Sequence, residues 1–111
     1  MRTDYSVQRA EERIPMELAV QIEGNESLPG VETTFTENVS ARGARVTTIR
    51  RWRINDRLHL ATLPGEFRAT ARVAYCQPRR GNCFAIGLEF LEPTGRWVIQ
   101  PPAVQEDHQR G

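Results

Sequence analysis

With 111 residues the chain can build one hydrophobic core and is too short for two. Apolar residues make up 39% and charged residues 26%, so the core must be thin and the surface well solvated. A net charge of +1, from 15 basic against 14 acidic residues, excludes a protein that coats DNA through bulk positive charge.

The residues before Pro15 are polar and lack an apolar period, and Pro15 ends any short helix there, so an arm is expected over 1–14. From Met16 the chain alternates, with Met16, Leu18, Val20 and Ile22 on one face and Glu17, Gln21 and Glu23 on the other, which predicts a half-buried strand. Residues 24–30 have loop composition. Val31, Thr33 and Phe35 then alternate with Glu32, Thr34 and Thr36 as a second strand. Turn formers from Asn38 to Gly43 break the pattern before a third strand, Ala44 to Ile49. A turn at 53–56 precedes a fourth strand from Arg57 to Leu63, and Pro64-Gly65 signals a hairpin. Phe67, Ala69, Ala71, Val73 and Tyr75 form the apolar series of a fifth strand. After a turn from Pro78 to Asn82, Phe84, Ile86, Leu88 and Phe90 form that of a sixth. The tail from Pro93 carries Pro101-Pro102 and buries little, with Trp97, Val98 and Ile99 as its docking residues.

Six short strands and no long helix define an all-β fold, and thin strands protect their edges best by closing into an antiparallel barrel. The expected organisation is an arm at 1–14, a barrel at 15–92 and a flexible tail at 93–111. Trp52 is expected as a lid over one barrel end, and Gly87 as relief of crowding between strands.

Chemistry-bearing residues are sparse. No serine, histidine and acid arrangement, paired histidines or glycine-rich phosphate loop is present, so no catalytic residue is nominated. His59 lies between Leu58 and Leu60 and should face solvent. Two cysteines and two histidines give no zinc spacing. Cys76 and Cys83 flank a turn, where a disulfide is geometrically allowed and not implied. The first residues do not read as a signal peptide and no span is apolar enough for a membrane helix, so the cytoplasm is the expected location.

All 15 basic residues are arginine, six of them from Arg42 to Arg57. The planar guanidinium fork matches phosphate oxygens and the guanine edge; arginine-favouring codon usage explains the missing lysine equally well. Arg9 and Arg13, four apart, share a face whether the arm is extended or helical. In Asn38-Val39-Ser40-Ala41-Arg42-Gly43, the asparagine and serine can hydrogen-bond out of the turn while the glycine allows close approach.

Taken together, the R-x-x-x-R arm (Arg9, Arg13) and the N-x-S-x-x-G turn (Asn38, Ser40, Gly43), followed by barrel strands, resemble the PilZ domain family of bacterial cyclic di-GMP receptors. Ala71 to Tyr75 and Ile86 to Phe90 look like that family's last two long strands. The resemblance spans roughly residues 9–91. It implies a six-stranded barrel without catalysis or cofactor, whose arginine arm folds over the nucleotide. Arg9 and Arg13 would hold phosphate and guanine, Asn38 and Ser40 would bond a guanine edge, and Gly43 would keep the turn open. Arg42 and Arg45 are additional ligand candidates, since the turn and strand beside the site could aim one of them at phosphate. Glu11 and Glu12 inside the arm motif weaken its positive field. With no second domain expected, output would pass through a separate effector protein. Two rival readings remain: a barrel of the same fold that binds protein and no nucleotide, and a single-stranded nucleic-acid binder using Arg50, Arg51, Trp52 and Arg53, with Trp52, Tyr75, Tyr5 and Trp97 as base platforms.

Overall fold

The alternating segments become strands in a computed structural model that describes residues 12–63 and 65–99. Among the described residues seven strands form: β1 (Ile14–Pro15), β2 (Ala19–Glu23), β3 (Val31–Ser40), β4 (Gly43–Thr48), β5 (Arg57–Thr62), β6 (Phe67–Arg79) and β7 (Cys83–Gly95). The sheet order is β1-β3-β2-β5-β6-β7-β4, and a further β3–β4 pairing closes β2 to β7 into a six-stranded barrel, antiparallel throughout. The expected all-β barrel is therefore the fold.

Inward positions follow the apolar alternation. Val20, Ile22, Val46, Leu58, Leu60, Ala71, Val73 and Ile86 are buried together and fill the interior. Each of the larger aliphatic side chains contributes on the order of 1.5–3 kcal/mol by leaving water. Phe67, Phe90 and Trp97 close one end, with ring centroids 4.6 to 5.0 Å apart. Trp52 is buried near the other end, where its indole Nε1 donates to Thr48 Oγ1 at 3.4 Å and the Arg50 guanidinium lies 4.9 Å from its ring.

Several boundaries differ from the sequence reading, each for a local reason. The strand expected from Met16 is broken: β1 pairs with the end of β3, β2 with its beginning, and residues 16–18 bridge them. Thr36 causes the break, because its hydroxyl donates to the Met16 carbonyl at 2.7 Å and accepts from the Leu18 amide at 2.9 Å. In the first part of β3, up to Thr36, the buried side chains are Thr34 and Thr36, whereas Val31 and Phe35 are 56% and 50% exposed. The threonine hydroxyls can be buried because they are hydrogen-bonded, Thr34 Oγ1 donating to the Thr47 carbonyl at 2.6 Å.

The turn expected from Asn38 to Gly43 shrinks to two residues, Ala41 and Arg42, with Asn38 to Ser40 still in β3. The last hairpin likewise lengthens, so that its turn is 80–82, with Gly81 (φ 81°) and Asn82 (φ 58°) in the left-handed region. Pro78 is tolerated within β6 because β5 ends its pairing at Arg72, leaving that edge open where a missing amide costs no ladder bond. Cys76 then faces Ile86 and packs on the core, while Cys83 faces Arg79, and both thiols are free. Strand β7 also runs on to Gly95, beyond the limit at 92, since Pro93 to Gly95 pair with Ala69 to Phe67. Trp97 docks as expected, and residues 100–111 lie outside the described residues.

Candidate ligand-binding site on the barrel wall

With the interior filled, a ligand must bind from outside, and two irregularities build an outer site. The β3–β4 register shifts between Thr36 and Asn38, leaving Glu37 as an extra residue. Without it Asn38 would share the inward face of Thr36; the bulge turns Asn38 out, opposite Arg45, and sends Val39 inward. A second shift, between Val73 and Tyr75, leaves Ala74 extra and turns Tyr75 onto the outer wall over Gly87. The sequence pattern placed Val73 and Tyr75 on one face, and this bulge separates them. A side chain at Gly87 would collide with the Tyr75 ring, so glycine here makes room for a neighbouring strand's residue, as expected.

Strand β1 brings the arm to this wall. Ile14 pairs with Val39 and Pro15 with Asn38, which holds the preceding Arg13 beside the end of β3. Arg13 Nη1 donates to Asn38 Oδ1 at 3.0 Å. Arg9, the arm's other arginine, lies outside the described residues. Ser40 is buried, and its carbonyl accepts a 2.7 Å bond from Trp97 Nε1. The Arg42 carbonyl accepts from the Phe90 amide at 2.8 Å, which fixes the turn against β7. Gly43 acts differently from its expected role of keeping the turn open. It has no positive φ, and an added Cβ would strike the Leu88 carbonyl, so glycine allows β4 and β7 to approach closely.

These pieces meet at a cavity of about 240 Å³ lined by Arg13, Ser40, Arg42 and Gly43 from the sequence-derived set and by Arg72, Tyr75, Gly87 and Glu89 among others. Asn38 joins it through Arg13. Arg72 and Glu89 were not nominated from sequence; the register Gly43–Glu89 and Arg72–Glu89 brings them to the turn. Arg72 Nε and Nη2 donate to Glu89 Oε1 at 3.0 and 2.7 Å.

Arg45 stands on the far side of Tyr75 and does not line the cavity. Its Nε, Nη1 and Nη2 donate to Glu37 Oε1 (3.0 Å), the Tyr75 hydroxyl (3.2 Å) and Gln77 Oε1 (3.2 Å). Glu37, the bulge residue, also accepts from Thr47 Oγ1 at 2.7 Å and from Arg79 Nη1 at 2.8 Å. Partial burial works against its charge, but the bonds from Thr47, Arg79 and Arg45 outweigh it and hold the carboxyl below its ordinary value. Burial likewise opposes the charge of Arg45, and the bonds to Tyr75 and Glu37 more than compensate, raising it. Among the described residues no group of three or more His, Cys, Asp or Glu could hold a metal. No helix there is long and apolar enough to cross a membrane. Trp52 and Trp97, two of the supposed base platforms, are buried at 2% and 6% exposure and cannot stack on a nucleic acid.

A closed six-stranded barrel with a packed interior, a short arm strand and an arginine-lined notch on its wall defines a β-barrel module whose candidate site lies on its outer surface. The PilZ domain profile matches residues 7–97, and the chain belongs to the PilZ domain family. Among solved structures, the Bacillus subtilis inhibitor of motility (MotI/DgrA) shares the fold, with a TM-score of 0.61 and 24% identity. That match covers 76% of this chain and 43% of MotI/DgrA, so this chain spans less than half of it. No curated protein matches the chain.

Proposed function

We propose that the chain is a cytoplasmic receptor for cyclic di-GMP, binding it at the wall notch without catalysis and passing the signal to a separate protein. The observation that supports this most is the 3.0 Å bond from Arg13 to Asn38, which joins the arm motif to the turn motif at one cavity. Cyclic di-GMP offers two phosphates for charge-assisted bonds and two guanines whose O6 and N7 accept a guanidinium fork. In this reading Arg13 and Arg9 close on the ligand, Arg42 adds charge from the turn, and Asn38 and Ser40 meet a guanine edge. Arg45 would have to leave Glu37, Tyr75 and Gln77 to reach a phosphate and contributes the least. The cavity is below the roughly 300–1,000 Å³ of complete small-molecule sites. In this reading the arm supplies the remaining wall, and its closure over the nucleotide is the switch a partner would read.

Titration calorimetry with cyclic di-GMP tests the proposal. The wild type should bind, while Arg9→Ala and Arg13→Ala should each lose at least tenfold in affinity, the rough value of one charge-assisted bond. Unchanged affinity in both variants would sink it. A protein-binding barrel that takes no nucleotide is the second reading. It is favoured by the carboxylate partners of Arg45, Arg72 and Arg79, which leave much of the wall's positive charge internally matched. Absence of heat from the wild type would select it.

A further inference from the structure

The candidate cavity combines three arginines, Arg13, Arg42 and Arg72, with one carboxylate, Glu89. In a site for a doubly charged anion a carboxylate costs affinity through repulsion unless it makes a bond that the ligand alone offers. Glu89 is held in place for such a bond. The Arg72 fork bonds Oε1 through two donors, at 3.0 and 2.7 Å, while Arg72 Nη1 is itself anchored to Asn55 Oδ1 at 2.8 Å. Oε2 has no hydrogen-bond partner among the described residues, and the side chain is 50% exposed at the cavity. The fixed carboxylate thus presents one oxygen, with both lone pairs, beside the serine and glycine of the turn.

We infer that Glu89 reads the base: its Oε2 accepts the N–H donors of a guanine Watson–Crick edge and thereby selects guanine over adenine. This rests on the cyclic di-GMP reading above. Guanine places a ring N1–H beside an exocyclic amino group, two donors on one edge. Adenine places an acceptor, N1, at the corresponding ring position, so the same carboxylate meets a lone pair. Arg72 acts as a positioning residue, fixing the carboxylate before the ligand arrives, which reduces the ordering cost of binding.

Calorimetric titration of wild type and Glu89→Gln with cyclic di-GMP, cyclic di-AMP and cyclic di-IMP tests the inference. The inosine compound lacks only the exocyclic amino group. The wild type should bind cyclic di-GMP at least about tenfold more tightly than cyclic di-IMP. Glu89→Gln should weaken cyclic di-GMP by about tenfold to a hundredfold, the range for a charged hydrogen bond, without weakening cyclic di-AMP. Removal of a carboxylate acting only as a charge would instead tighten both nucleotides by the same factor. That result, or a wild type that treats the guanine and inosine compounds alike, overturns the inference and leaves the receptor reading standing. The wild-type comparison needs no variant to fold. A wild type that binds none of the three defeats the receptor reading and this inference together.

Discussion

Glu37 places its neighbour and anchors the wall with one side chain. As the extra residue of β3 it turns Asn38 outward, and as a carboxylate it gathers Thr47, Arg45 and Arg79. Glu37→Gln should therefore lower stability near neutrality by about 1 kcal/mol, the scale of a partly exposed ionic network. Because the folded carboxyl titrates below its ordinary 4.5, its contribution is complete above that value and disappears as pH falls through the lowered one. Urea unfolding of both proteins should show the gap near neutrality and none in stronger acid; a gap independent of pH would contradict the assignment. Asn38→Ala should behave oppositely, weakening nucleotide binding by roughly tenfold while shifting stability by less than about 0.5 kcal/mol, because its bond to Arg13 is solvent-exposed. Calorimetry alongside thermal melting separates the two effects.

Strand periodicity carries the elements well where alternation is unbroken and fails where a bulge resets it. Val20, Ile22, Leu58 and Leu60 are interior as their pattern requires, and the barrel was legible from such runs. Tyr75 was not placed correctly by parity, and Asn38 was read as part of a turn rather than as an outward strand residue, since one extra residue in a ladder reverses every later face and leaves no local composition mark. The motif residues Arg13, Ser40, Arg42 and Gly43 were visible as types at spacings. Arg72 and Glu89 were invisible because they reach the turn through pairing across β6, β7 and β4. The two glycines of the wall test this register. Gly43→Ala should cost about 1–3 kcal/mol or more, because its Cβ would meet the Leu88 backbone carbonyl, which cannot rotate away. Gly87→Ala should displace the flexible Tyr75 ring, disturbing the notch more than the fold. Melting curves that ranked Gly87→Ala as the more damaging would contradict the pairing.

For the molecule as a whole, a filled barrel leaves the wall as the face open to a ligand and its closed ends as supports. The aromatic end supports the site directly, since Trp97 Nε1 bonds the Ser40 carbonyl beside the turn. Trp97→Phe keeps most of the ring packing and removes that bond. It should cost about 1–3 kcal/mol and loosen the turn, read as faster amide exchange of the β3–β4 hairpin. The central claim is that cyclic di-GMP binds across the arm and the outer wall of β3, β4 and β7. Amide chemical shifts of the isotope-labelled chain, followed during titration with cyclic di-GMP, test it most directly. The account predicts saturable shifts at Arg13, Asn38, Ser40, Gly43 and Glu89, with the outer face of β2 and β5 around Gln21 and His59 unmoved. Shifts centred on that opposite face, or none anywhere at saturating nucleotide, would contradict it.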